Sequence, residues 1–109
     1  MSKVSVRTDV RIDLRAVVYR HQKWWIAHCL ELDLVAEGTT LAGALHDLME
    51  ICISQVETAT KMGNLESIFR AAPPEFWAMF SRSGHSVPIE KRPASRSVES
   101  FEAREAVFA

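Results

Sequence analysis

A chain of 109 residues is long enough for one domain, with or without a tail, and too short for two ordinary ones. With 48% hydrophobic residues it can bury a core, which excludes general disorder, and a formal net charge of -1 from 13 basic and 14 acidic residues gives no overall pull toward nucleic acid. No run approaches the ~20 apolar residues of a membrane span, and MSKVSVRTDVRIDL has no secretory apolar stretch, so a cytoplasmic location is expected.

Residues Lys3 to Arg20 alternate. Val4 and Val6 begin one face, Val10, Ile12, Leu14, Ala16 and Val18 continue it, and Arg7, Asp9, Arg11, Asp13 and Arg15 occupy the other. The run is too long for one strand, so a break is expected near Thr8-Asp9, with Val10 to Tyr19 as the main strand. His21-Gln22-Lys23 reads as a tight hairpin loop, and Trp24 to Leu30 as the antiparallel return. Both faces of that return are partly apolar, which predicts an inner strand packed on each side. A large exposed tryptophan at Trp24, beside Ile26, is costly unless a partner covers it. Glu31 to Glu37, carrying Leu32, Leu34 and Val35, reads as a third short strand.

At Gly38 the period changes. Leu41, Ala44, Leu45, Leu48, Cys52, Val56 and Ala59 recur three or four apart, the spacing of a helix of roughly twenty residues. Gly38 supplies a permissive turn, Thr40 is the candidate N-cap, and Gly63-Asn64 ends the helix after Lys61. Gly43 costs up to ~1 kcal/mol of helix propensity, and close packing on the sheet is its expected compensation. A meander followed by a helix predicts an α+β fold: a three-stranded antiparallel meander with a long helix packed on the sheet.

Leu65 to Ala71 reads as a turn or short helix, and Pro73-Pro74 as a helix restart. Glu75 to Ser81 then forms a short helix with Phe76, Trp77, Met79 and Phe80, which either folds back on the core or covers a partner. Ser83 to Ser97, rich in Ser, Pro and basic residues, reads as a linker. Val98 to Phe108 is expected as a C-terminal edge strand, the alternative being a helix through Phe101, Glu105 and Phe108. The organisation is one α+β domain over 1–82, including the aromatic helix, and a loop with an edge segment over 83–109.

Few residues suggest chemistry. His28 and Cys29 are adjacent on a strand, so they point to opposite faces and neither share a metal nor form a nucleophile–base pair. His46 and Glu50 lie one helical turn apart without a third ligand. Cys29 and Cys52 read as free buried thiols. No HExxH, CxxC, Walker loop, GxGxxG or nucleophile elbow occurs. The residues favour a binding module, with no metal or other cofactor, over an enzyme. The alternative is a small ligand- or metal-binding domain, with or without catalysis, that uses His28, His46 and Glu50.

The stretch YRHQKWWIAHCLELDLVAEGTTLAGALHDLMEIC resembles the domain of the HicB-like antitoxins. Trp25, Ile26 and Ala27 match that family's aromatic strand, and Leu32 the leucine of the short run after it. Gly38, Thr40, Leu41 and Ala44 match its Gly-x-Thr turn and Leu-x-x-Ala helix start. The match covers about Val10 to Met62. Cys29 or Leu30 stands where proline is often found, and Gly43 replaces the acidic residue of a capping box. The resemblance implies a truncated ribonuclease H fold of β-β-β-α-β order and a non-enzymatic partner protein that covers a small basic, messenger-RNA-cleaving HicA-like toxin. Many family members add a C-terminal DNA-binding domain. The region after Met62 matches neither a helix-turn-helix nor a ribbon-helix-helix, so DNA binding is not favoured. Trp24, Ile26, Phe76, Trp77 and Phe80 are the candidate partner or dimer contacts. A homodimer is expected from the unprotected sheet edge and the aromatic surface, and a homodimer that lacks a toxin partner is a further alternative.

Overall fold

The computed structural model describes residues 11–89 and 91–107. Ile12–His21 form β1 and Trp24–Cys29 form β2, antiparallel, with Ala16 opposite Cys29 and His21 opposite Trp24. His21 belongs to the ladder, so the loop is only Gln22-Lys23. Gln22 takes φ 59°, a region that L-residues enter at a cost of about 1–2 kcal/mol.

The third strand is shorter than Glu31–Glu37: β3 is Val35–Gly38, antiparallel to β2. Residues 31–34 turn the chain instead. Asp33 sits at φ 53°, its N–H donates to the Cys29 carbonyl (3.0 Å), and its Oδ1 lies 2.6 Å from His28 Nε2. Aspartate tolerates this conformation because its short carboxylate bonds locally, and that preference overrides the alternation of Leu32 and Leu34.

The long helix α1, Leu41–Met62, begins and ends where the capping residues indicate. Thr40 is extended, and its Oγ1 accepts from the Gly43 N–H at 3.0 Å. Gly63, at φ 69°, closes the helix, with its own N–H on the Thr60 carbonyl and that of Asn64 on Ala59. The close approach of helix to sheet is at Gly38, not at Gly43. A Cβ built on Gly38 would meet the Ala44 backbone nitrogen at 2.8 Å, whereas one on Gly43 meets only the Thr40 hydroxyl, at 3.0 Å.

A 3₁₀ turn (Leu65–Ile68) follows, then α2 (Pro74–Arg82), β4 (His85–Val87) and β5 (Val98–Glu105). The sheet order is β3-β2-β1-β5-β4, so the meander is one side of a five-stranded mixed sheet in an α+β fold with two helices. β5 runs parallel to β1, with Leu14 opposite Phe101 and Ala16 opposite Ala103. It is therefore an inner strand and not an edge or a helix. β4, inside the stretch read as a linker, is the edge. A parallel pairing between distant segments leaves no local sequence signal, and three residues are too few to alternate. The expected break near Thr8-Asp9, and Phe108, lie outside the described residues.

Each face of the sheet carries a helix. On the first, Leu14, Ala16, Val18, Ala27, Cys29, Phe101 and Ala103 meet Leu45, Leu48, Cys52 and Val56 of α1. On the second, Val17 and Leu30 meet Ala72 and Phe80, with Phe76, Trp77 and Met79 packed around them. Burial along β1 accordingly alternates at first and then runs unbroken through Ala16, Val17 and Val18. Ser95 ties the start of β5 to α1. Its Oγ donates to Glu57 Oε2 at 2.6 Å and accepts from the N–H groups of Ser97 and Val98, and this bonding holds the Glu57 carboxyl below its usual range. No described helix is long and apolar enough to cross a membrane.

Candidate interaction surface

The second face of the sheet carries the charged half of the β1 alternation, and α2 is fastened to it by polar contacts. Glu31 accepts from the Arg15 N–H (2.7 Å) and from Arg15 Nε (2.6 Å), with both carboxylate oxygens engaged. The Arg15 guanidinium carbon lies 4.8 Å from the centroid of Trp77, whose Nε1 donates to the Ala72 carbonyl at 3.1 Å. At the other end of α2, Arg104 stands 4.2 Å over the Phe80 ring and donates to the Phe80 carbonyl at 3.0 Å. The Phe76 ring lies 4.2 Å from that of His28, and His28 is itself buried against Asp33.

A helix of nine residues covers only part of this face. Register puts Tyr19 and His21 of β1, Trp24 and Ile26 of β2, and Val35 and Glu37 of β3 together on this face, with Tyr19 at the margin of α2, its ring stacked 6.3 Å from that of Phe76. Tyr19, His21, Ile26, Val35 and Glu37 line an open hollow of about 580 Å³. Trp24 is 38% exposed and Val35 48%, while Ile26, at 8%, forms the floor. Lys23 Nζ stands 5.6 Å from the Trp24 ring. Burial raises the pKa of the Tyr19 phenol at its edge.

Glu37 is the exposed carboxylate of this surface, and Lys23 stands at its Trp24 end. From Trp24 to Thr60, which covers β2, β3 and all but the last two residues of α1, the chain has six acidic residues and no lysine or arginine, but Asp47, Glu50 and Glu57 are on α1, over the first face. Glu31 is engaged by Arg15 and Asp33 by His28, but Glu37, Asp47 and Glu50 are exposed. Glu50 pairs with His46 at 3.2 Å, both on the solvent side of α1.

The residues singled out from sequence therefore separate into groups. Trp24 and Ile26 lie on the open part of the second face. Phe80 is enclosed at 6% exposure, and Phe76 and Trp77 are half-buried, so the aromatic helix spends most of its surface inside its own chain. Gly38, Thr40, Leu41 and Ala44 form the β3–α1 junction and not the surface. Sequence reasoning missed Tyr19, Val35 and Glu37 as members of the surface. No local signal marks them, because the pairing of β1, β2 and β3 decides which side chains share the face.

Neither a family model, a curated protein nor a solved structure matches this chain. Among the described residues no group of three or more His, Cys, Asp or Glu is arranged to hold a metal. His28 faces α2 on the second face, whereas His46 and Glu50 lie on α1 over the first, so these three side chains do not converge. Cys29 and Cys52 are free and fully buried between β2 and α1. A hydrogen bond with Cys29, and then burial, push the Cys52 thiol well above its ordinary range, which suits packing and not nucleophilic chemistry.

Proposed function

We propose that this chain is a non-enzymatic binding protein of the HicB-like antitoxin kind, which acts by covering a small basic protein, a ribonuclease toxin in the fullest form of the reading. The observation that carries it is the open, apolar part of the second sheet face, where Trp24 and Val35 are exposed and the Glu37 carboxylate lines the hollow. Apolar anchors such as Trp24 and Val35 gain most when a partner removes them from water, and the exposed Glu37 carboxylate favours a basic residue of the partner beside them. The first four elements follow the β-β-β-α order that the resemblance implies, and α2 and β4 then precede β5. Phe76, Trp77 and Phe80 enter this reading as the support that holds the surface in shape, with only their outer edges open to a partner.

The test is a tagged pull-down from cells that contain the chain's genomic neighbourhood, followed by mass spectrometry, with light scattering on the purified protein in parallel. A small basic protein recovered at fixed stoichiometry, whose ribonuclease activity this chain suppresses, is the expected result. Recovery of this chain alone, as a dimer, would leave a homodimer without a toxin partner.

A further inference from the structure

The outer edge of β3 offers more than side chains. In an antiparallel pair, residues alternate between exchanging hydrogen bonds with their neighbour and pointing both backbone groups away from it. Cys29 donates to the Leu34 carbonyl at 2.8 Å, which makes Leu34 a bonded position. With His28 opposite Val35, Ala27 opposite Ala36 and Ile26 opposite Glu37, the alternation turns the N–H and C=O of Val35 and Glu37 outward. Among the described residues β3 is the last strand on its side of the sheet. The same two residues, both exposed, line the open hollow, so free backbone groups, an apolar side chain and a carboxylate coincide in one strand.

We infer that the edge of β3 is completed by a strand from a cationic partner, a segment that alternates apolar with basic residues and places a lysine or arginine beside Glu37. This inference rests on the partner-covering reading and supplies its mode of contact. Charge selects this occupant over a second copy of the chain. Two copies of β3 would bring together edges whose only charged side chain is Glu37. Backbone pairing would fix the partner's direction, and the Val35 and Glu37 side chains its composition.

The test is an amide NMR titration of the full chain with the capped peptide Thr-Lys-Val-Lys-Val-Lys-Thr and with its counterpart carrying glutamate for lysine. The expected result is shifts centred on Val35 and Glu37, slowed hydrogen exchange at both amides, and binding about tenfold tighter for the lysine peptide at low salt. Glu37→Pro removes the outward N–H without touching the β2 ladder, and proline is tolerated at such an edge position. It should abolish the shifts at an unchanged melting temperature, and Glu37→Lys should erase the preference between the peptides. No shift at ~1 mM peptide, equal binding of both peptides, or pairing of Val35 with Glu37 in the protein alone would overturn the inference. A cellular partner whose binding survives Glu37→Pro would overturn the strand and keep the covering reading. Failure to recover any partner would overturn that reading, and the peptide result would still decide the strand.

Discussion

Replacing Gly38 by alanine tests how closely α1 is seated on the sheet. The added Cβ would lie 2.8 Å from the Ala44 nitrogen, 3.1 Å from its Cα and 3.3 Å from its Cβ. The two closest atoms are backbone in the first turn of a helix, so relief requires the helix start to move, and Thr40 with it. Overpacking of this kind costs about 1–3 kcal/mol, and for a domain of this size 2 kcal/mol lowers Tm by roughly 8–16 °C. Thermal and urea melts of Gly38→Ala, beside Gly43→Ala, measure it. Gly43→Ala meets only a hydroxyl at 3.0 Å and gains helix propensity, so its stability should stay within about 1 kcal/mol of the parent. Adding Ala44→Gly to Gly38→Ala should rescue little, because it deletes the farthest of the three contacts. A Gly38→Ala protein that melts within about 2 °C of the parent would refute the reasoning.

Trp24→Ala and Phe80→Ala should behave oppositely. The exposed Trp24 should cost less than about 1 kcal/mol, while the enclosed Phe80 should cost about 3–5 kcal/mol and loosen α2, read by urea melts and by exchange of the α2 amides. Ser95→Ala should flatten the acid side of the stability curve. The Glu57 carboxyl is depressed in the folded state, so its contribution is fully present above the unfolded carboxylate value and is lost as pH falls through the folded one. Melts from pH 7 down through the carboxylate range check it, and an unchanged profile would refute the role of Ser95. Cys29 and Cys52 should resist an alkylating reagent in the native protein and react together on unfolding, as followed by intact mass. Rapid labelling of either in the native state would mean that the β2–α1 core opens.

What the sequence made legible was the part governed by short periods. β1 could be read because apolar and charged residues alternate through Arg15, and α1 because its buried stripe runs between two recognisable caps, Thr40 and Gly63. The turn at Glu31–Leu34 was misread because two leucines spaced two apart look like a strand, while the deciding contact, His28 with Asp33, depends on the strand already being in place. The inner position of β5 had no local signal at all. Trp24 was recognisable as a residue in need of cover. Which aromatic residues were already used internally was not legible, because periodicity alone does not reveal that α2 crosses to the opposite face from α1.

The sheet order also has a consequence for how the chain is made. β1, the first of the described elements, is a central strand, and one of its two neighbours is β5, the last of them. During synthesis β1, β2, β3 and α1 emerge first and can assemble, but one flank of β1 has no mate until Val98–Glu105 leaves the ribosome. Closure is therefore a late, non-local event, and pairings of that kind slow folding because the intervening loop must be ordered before it is rewarded. Until that strand emerges the nascent protein carries an interior strand edge, and that interval is when it is most exposed to aggregation.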